Sequence, residues 1–170
     1  MESTNRRLSI WLITVGEPLP FQGSSARPWR TGLLARLLAR RGHNVTWWTS
    51  SVDHFTKRFF VNESKRVDVE PNFALQFLHG RLYKRNISMA RWRNHREIAA
   101  EFDRISAGAQ RPDLIVCSYP TIELSAAAAR YGKAHGIPVL LDIRDLWPDE
   151  MAALLPRPLR GLARLLLWPM

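Results

Sequence analysis

The sequence predicts a single three-layer α/β/α domain with a mainly parallel β-sheet. Short runs rich in branched and aromatic residues alternate along most of the chain with segments of helical periodicity. This alternation is typical of a parallel sheet whose strands are joined by crossover helices. Of the 170 residues, 46% are hydrophobic and 24% are charged, a composition that suits one globular core.

The first predicted unit is a strand, a helix and a second strand. Residues 8–15 are mostly branched or aromatic and stop at Gly16, so we predict a buried strand there. Residues 29–41 are predicted as a helix that ends at Gly42, because leucines recur at helical spacing. These leucines are Leu33, Leu34, Leu37 and Leu38. Residues 44–49 form the second predicted strand, and the short link makes one right-handed crossover.

The middle of the chain is less regular. Residues 50–72 are polar and basic without a clear period and are expected to form a long connection, and residues 73–78 form a third strand. A helix is predicted over residues 88–106, because apolar residues there can share one broad face. That face would hold Met89, Trp92, Ile98, Ala99, Phe102 and Ile105.

The last predicted units continue the alternation. Residues 113–117 form a fourth strand, and a helix over residues 120–135 ends at Gly136. Residues 138–141 form a fifth strand, which is expected to be buried. Residues 159–168 are predicted as an amphipathic helix with arginines on one side.

Charge and cysteine content limit the partners and the compartment. The formal net charge of +10 is large for this size and implies an anionic partner such as phosphate, nucleic acid or acidic lipid. Cys117 is the only cysteine, so no internal disulfide can form, and a buried, unreactive thiol is predicted. We expect no membrane span and no cleaved leader, and therefore a cytoplasmic location.

Motifs of cofactor and metal chemistry are missing from the sequence. Residues 16–32 lack the Gly-x-Gly-x-x-Gly spacing of a dinucleotide site, and no Walker loop or Gly-x-Ser-x-Gly motif occurs. The five histidines lack the spacing of a zinc site, and His43 and His135 fit helix ends. No cofactor and no metal are predicted.

The stretch of residues 142–150 is the main candidate for function. It follows the fifth predicted strand and contains four carboxylates, one arginine and a Trp-Pro pair. Ligands of open α/β sheets bind outside the carboxyl ends of strands, so acidic groups at this position are functional candidates. The alternative is a solvated loop whose carboxylates cap the next helix.

These residues resemble the N-terminal domain of bacterial family-4 glycosyltransferases of the GT-B fold, in particular enzymes that build surface polysaccharides on a lipid carrier. The similar segments are residues 23–27, 34–46 and 112–120, together with the sequence Asp-Ile-Arg-Asp-Leu-Trp-Pro-Asp at residues 142–149. That last segment is similar to the family's Asp-x-Arg-Asp-x-Trp-Pro signature. The chain departs from the family pattern at Trp47 and Trp48 and at residues 17–20.

The resemblance implies a Rossmann-like domain over residues 1–170 that forms the acceptor side of a two-domain enzyme. The C-terminal, donor-binding domain of such enzymes is absent from the 170 residues, so the chain alone is expected to be inactive. The implied reaction is a retaining transfer of a sugar from a nucleotide sugar to a lipid-linked or saccharide acceptor, without a required metal.

The resemblance also implies roles for individual residues. Asp142 and Asp145 would be catalytic, by orienting acceptor hydroxyls or by stabilising positive charge on the sugar. The implied substrate-binding residues are Gly23, Ser24, Arg27, Ser118, Tyr119 and Arg144. An alternative for Arg27 and Arg144 is an ion pair that braces the loop.

A basic cluster lies next to and inside the predicted helix over residues 88–106. The resemblance implies that it meets an anionic membrane or a lipid-diphosphate acceptor, and its members are Arg81, Lys84, Arg85, Arg91, Trp92 and Arg93. Peripheral binding to the inner membrane, and a homodimer through the exposed cleft face, are further expectations. A solvated helix face is the alternative for the cluster.

A basic membrane-surface or nucleic-acid-binding module without catalysis is the alternative for the whole chain. Nucleic acid is the less favoured partner, because most aromatic residues lie inside predicted strands and the acidic stretch would repel phosphates.

Overall fold

The computed structural model of the chain describes residues 6–20, 27–86, 88–119 and 121–144. Within these ranges it contains six strands and three helices. The strands are β1 (Ser9–Ile13), β2 (Asn44–Ser50), β3 (Arg66–Glu70), β4 (Phe73–Leu78), β5 (Leu114–Tyr119) and β6 (Val139–Ile143). The helices are α1 (Arg30–Arg40), α2 (Met89–Ser106) and α3 (Ile122–His135). The helix predicted over residues 159–168 lies outside the described residues.

The strands form one sheet in the order β3-β4-β2-β1-β5-β6. Five of them are parallel, and only β3 runs antiparallel to its neighbour β4. Helix α1 packs on one face of the sheet, and α2 and α3 pack on the other. The predicted three-layer α/β domain with a mainly parallel sheet is therefore confirmed.

Strand β3 lies in the stretch that the sequence predicts as a connection, so that prediction was wrong over Arg66–Glu70. Two valines alternate with charged residues there, which suits an edge strand with one face in solvent. Asn72, with a φ of 64°, takes the left-handed conformation in the tight turn that leads into β4. The five-residue length of β3 leaves too little pattern to detect from sequence alone.

The core has two parts because neighbouring residues of a strand point to opposite faces. Trp47 packs on the α1 side with Ala35 and Ala39, whereas Trp48 packs on the other side with Phe102 of α2. Both tryptophans are at most 2% exposed. The two adjacent tryptophans thus fill both layers of the core.

The leucine stripe predicted for α1 is only partly buried: Leu34 and Leu38 pack against the core as partly buried residues, but the other two leucines do not. Leu33 and Leu37 are 57% and 48% exposed, whereas the small residues Ala35 and Ala39 are buried. A Cβ built on Gly32 would lie 3.8 Å from the Trp47 ring. Large aromatic side chains of the sheet therefore fill the layer, and the helix contributes small residues.

The broad apolar face predicted for α2 is correct only in its second half. Ile98 and Phe102 are fully buried, but Met89 and Trp92 are 63% and 42% exposed. The apolar side chains of the first turns of α2 therefore face solvent. Within the described residues, no helix has both the length and the apolar character needed to cross a membrane.

Strand β6 also differs from its prediction as a buried strand. It is one of the two edge strands of the sheet, and Leu140 and Leu141 are 55% and 48% exposed. It extends to Ile143, so Asp142 lies within a strand rather than in the loop that follows. Strand β5 likewise continues through Tyr119, two residues beyond the predicted end.

Candidate functional site

The strand order reverses between β1 and β5, because the chain leaves β1 towards β2 on one side and places β5 on the other. Ligands of open α/β sheets bind at such a switch point, outside the carboxyl ends of the strands. A row of polar side chains lies there. Thr14 Oγ1 is 3.0 Å from Ser118 Oγ, and Ser118 Oγ is 3.4 Å from Asp142 Oδ2. The row links the ends of β1, β5 and β6.

A buried ion pair between Glu17 and Arg144 lies beside this row. Glu17 follows β1 and is 4% exposed. Its carboxylate accepts hydrogen bonds from the backbone N–H of Thr31, at 3.0 Å, and from the Thr31 hydroxyl, at 2.8 Å. The first turn of a helix has unpaired N–H groups and a positive dipole end, so Glu17 caps α1 from outside the helix.

Arg144 joins the ion pair to the polar row. Its Nε donates to Asp142 Oδ2 at 2.8 Å, and its Nη2 donates to Thr31 Oγ1 at 3.0 Å. Burial alone would lower the pKa of Arg144, but its hydrogen bonds to Glu17 and Asp142 raise it. The guanidinium therefore braces the site, which is the ion-pair alternative that the sequence left open.

Asp142 is held as a carboxylate by two arginines. Arg30 Nη1 lies 2.8 Å and 3.1 Å from its two oxygens, and Arg144 donates to it as described above. Burial raises the pKa of Asp142, but the hydrogen bonds from Arg144 and Arg30 lower it by more, so the net pKa is below the ordinary value. Asp142 therefore stays ionised at neutral pH.

The site is balanced in charge and closely packed. Two carboxylates, Glu17 and Asp142, meet two guanidinium groups, Arg30 and Arg144. A cavity of about 20 Å³ remains beside Arg30, Asp142 and Arg144, which is room for a water molecule but not for a sugar ring. A substrate would lie over the cluster, where the side chains of Asp142 and Arg30 are 24% and 65% exposed.

A family of known proteins matches most of this chain. Residues 28–168 match the model of the glycosyl transferase 4-like domain. The chain belongs to this family. A comparison with curated proteins found no match. The matched range of the glycosyl transferase 4-like domain includes Arg30, Ser118, Asp142 and Arg144, and it begins after Glu17.

The predicted site residues fall into three groups. Ser118, Asp142 and Arg144 lie together at the switch point. Tyr119 ends β5 beside them, where its carbonyl accepts the Arg144 N–H at 3.4 Å, and burial raises the pKa of its phenol. Arg27 is exposed shortly before α1. Gly23, Ser24 and Asp145 lie outside the described residues.

Sequence reasoning missed Glu17 and Arg30. A signal for Glu17 was present, because it follows the first predicted strand and thus lies at the same sheet edge as Asp142. Arg30 gave no comparable signal, since its pairing with Asp142 joins residues 112 positions apart.

The basic cluster lies after the carboxyl end of β4 and along the start of α2. Arg81 is not free for a partner, because its guanidinium is paired with Glu97 at 2.6 Å. Arg96 lies over the Trp92 ring at 4.9 Å. Leu82, Met89 and Trp92 are 38%, 63% and 42% exposed between the basic residues. The surface of this glycosyl transferase 4-like domain is therefore mixed apolar and basic here.

A far larger cavity than the one beside Asp142 lies elsewhere. A groove of about 880 Å³ opens at the amino ends of the strands and is lined by residues such as Asn44, Asn72 and Gln110. It is remote from the switch point, and no described ion pair of the Glu17 cluster reaches it. We assign the site by its chemistry and topology rather than by cavity volume.

Metal and thiol chemistry gain no support from the described part of the chain. No group of three or more potential ligands among its His, Cys, Asp and Glu side chains is placed to hold a metal ion. Cys117 is buried, and burial raises the pKa of its thiol. The thiol therefore fits a packing role in β5.

Proposed function

We propose that this domain forms the acceptor side of a retaining glycosyltransferase that moves a sugar from a nucleotide sugar to a lipid-linked or saccharide acceptor, in bacterial surface-polysaccharide synthesis. The observation that carries the proposal is the Asp142 network at the switch point of a glycosyl transferase 4-like domain. Polar groups fixed at this edge can meet a substrate without rearranging.

Asp142 would act through its charge and its hydrogen bonds rather than as a proton acceptor. A general base works best with a pKa near the operating pH, whereas the pKa of Asp142 is held below its ordinary value after burial is offset by two arginines. A permanent carboxylate suits the orientation of an acceptor hydroxyl. It also suits stabilisation of the positive charge that develops on the transferred sugar.

Glu17 and Arg144 would be positioning residues for Asp142. Arg144 contacts Asp142 directly, and Glu17 holds Arg144 from the loop after β1, 127 residues earlier in the chain. Side chains fixed from two sides lose little entropy when a substrate binds. Asp145 is proposed as a second catalytic residue on the basis of the family signature alone.

We also propose that the domain binds the cytoplasmic face of an anionic membrane through the start of α2. Lys84, Arg85 and Arg93 would meet lipid headgroups, while the exposed Met89 and Trp92 would enter the interface. Each basic residue near an anionic bilayer contributes about 1 kcal/mol. Vesicle sedimentation tests this part, and equal binding to neutral and anionic vesicles at low salt would contradict it.

Calorimetric titration of the 170-residue chain with a short-chain prenyl-diphosphate sugar tests acceptor binding. We expect Asp142→Asn to weaken binding by roughly tenfold, since a hydrogen bond to a charged group contributes about 1.5–3 kcal/mol. Asp103→Asn is the matched control, because Asp103 is a surface carboxylate paired with Arg130. Equal affinities of the two variants would contradict the assignment of Asp142.

The nucleotide sugar would be held mainly by a second domain in enzymes of this architecture. We therefore propose that the 170 residues alone bind an acceptor but do not transfer sugar. Incubation with radiolabelled nucleotide sugars and the same acceptor tests this statement, and labelled product would contradict it.

A homodimer through the cleft side of the sheet is the last part of the proposal. Leu140, Leu141 and Ile143 of the edge strand β6 are 55%, 48% and 62% exposed, and exposed apolar edges favour association. Sedimentation equilibrium is the test, with a single monomeric species as the contradicting result.

A further inference from the structure

A second group of charged side chains lies on the loop after β2 and the start of α2. Lys57 Nζ donates hydrogen bonds to the backbone carbonyl of His54 and, at 2.5 Å, to Asn86 Oδ1. Arg91 Nη1 donates to the backbone carbonyl of the same Asn86 at 2.7 Å. The ammonium of Lys57 also lies 5.0 Å from the centre of the Tyr83 ring. Two cations thus converge on one asparagine.

Neither cation of this group is ion-paired with a carboxylate in the described ranges. Among the described residues, the hydrogen-bond partners of Lys57 and of the Arg91 guanidinium are neutral carbonyl and amide oxygens. The Arg91 Nε is buried and has no hydrogen-bond partner within the described residues. A buried donor without an acceptor costs free energy, and an anion that drew the guanidinium outward would satisfy it.

The pKa values around these cations reflect burial first and then the two neighbouring positive charges, which Asp53 offsets in part. Burial, followed by repulsion from Lys57, Arg91 and His95, lowers the pKa of His54 to about 4. Burial and Arg91 also lower the pKa of Lys57, although Asp53 acts in the opposite direction. The imidazole of His54 is therefore neutral at pH 7, and the local charge comes from Lys57 and Arg91.

This group lies at the same sheet edge as the Asp142 network. Lys57 follows β2, and Asn86 follows β4, so both lie beyond the carboxyl ends of parallel strands. A Cβ built on Gly16 would lie 3.7 Å from His54 Cβ, and Gly16 is the neighbour of Glu17. The two groups therefore flank the loop that follows β1.

We infer that Lys57 and Arg91 form a diphosphate-binding site next to the Asp142 network, and this inference rests on the proposed function. The ammonium supplies a point charge, and the guanidinium supplies several fixed donors, which together suit phosphate oxygens. The Asp142 network has no net charge to offer an anion, whereas Lys57 and Arg91 form no ion pair within the described residues and outnumber the nearby carboxylate of Asp53. A diphosphate-linked sugar could then lie with its diphosphate here and its sugar over Asp142.

The test compares the wild-type chain with the double variant Lys57→Gln/Arg91→Gln. The matched control is Lys65→Gln/Lys133→Gln, which removes the same charge from two exposed positions outside the site. Inorganic pyrophosphate is titrated by calorimetry, and vesicle binding is measured with polyprenyl diphosphate or with phosphatidylglycerol at equal charge. Circular dichroism checks folding, and the charge-retaining variant Arg91→Lys serves if the double variant does not fold.

We expect the double variant to bind pyrophosphate about 10- to 100-fold more weakly than the control double variant. Loss confined to polyprenyl diphosphate vesicles would also support the site and would identify a lipid-linked source. Equal binding by the two double variants to pyrophosphate and to polyprenyl diphosphate, or equal loss on phosphatidylglycerol, would overturn the inference. These binding readouts do not depend on Asp142, so failure of the proposed function would be seen separately in the Asp142→Asn titration.

Discussion

The substitution Glu17→Gln examines the buried ion pair that organises the candidate site. Glu17 accepts hydrogen bonds from the Thr31 backbone, the Thr31 hydroxyl and Arg144. Glutamine keeps the shape but replaces one acceptor oxygen with an NH₂ group, which then faces a donor. The substitution also removes the negative charge opposite Arg144 at a position that is 4% exposed.

The expected loss of stability follows from these contacts. Breaking a fully buried ion pair costs about 3–5 kcal/mol. The loss here should be smaller, at about 2–3 kcal/mol, because Arg144 retains Asp142 and a buried donor left without its acceptor costs about 1–3 kcal/mol. For a domain of this size the melting temperature should fall by about 4–12 °C.

Urea unfolding followed by tryptophan fluorescence measures this change, and Glu70→Gln is its matched control. The Arg36–Glu70 pair is also an Arg–Glu ion pair, with a separation of 3.0 Å, but its side chains are 31% and 33% exposed. Pairs that are substantially exposed contribute about 0–1 kcal/mol. If Glu17→Gln and Glu70→Gln lose the same stability within about 0.5 kcal/mol, Glu17 does not organise the site.

Three further predictions concern pH, packing and the thiol. The pKa of Asp142 in the folded chain lies below the ordinary 3.8, so its ion pairs stabilise the fold fully above pH 3.8 and are lost as the pH falls through the folded-state pKa. The urea midpoints of wild type and Asp142→Asn should therefore converge only in acid. Gly132→Ala should destabilise the domain by about 1–3 kcal/mol in a thermal melt, because the new Cβ would lie 2.2 Å from Val139 Cγ2. Gly108→Ala should be neutral in the same melt, because no atom lies within 4 Å of its new Cβ. Cys117 should react with a thiol reagent only after denaturant is added, since burial raises its pKa, and rapid labelling of the folded chain would contradict this.

The sequence predicts the parallel strands and their connecting helices well, because their apolar runs and turn residues are local features. Gly136, with a φ of 66°, ends α3 as predicted. The sequence does not predict which apolar residues are buried, since that depends on the partner layer. Leu37 is exposed and Ala39 is buried on the same helix, because the tryptophans and phenylalanines of the sheet already occupy the space.

The location of the candidate site can be predicted from the sequence, but the ion pairs between its side chains cannot. Asp142, Arg144 and Ser118 follow from the strand ends and from the family resemblance. Glu17 and Arg30 reach them only in the folded chain, over separations of 127 and 112 residues from Arg144 and Asp142. The sequence around Glu17 or Arg30 does not indicate which distant residue each one pairs with. The ion-pair network is therefore visible only in the structure.

Chemical-shift mapping of the ¹⁵N-labelled chain with a short-chain prenyl-diphosphate sugar tests most directly whether the carboxyl edge of the sheet is the acceptor site. The groove of about 880 Å³ opens at the opposite edge, so the two locations compete in one experiment. We predict that the amides of Thr14, Ser118 and Arg144 shift most on titration. Larger shifts at Asn44 and Gln110, which line the groove at the amino ends, would contradict the assignment.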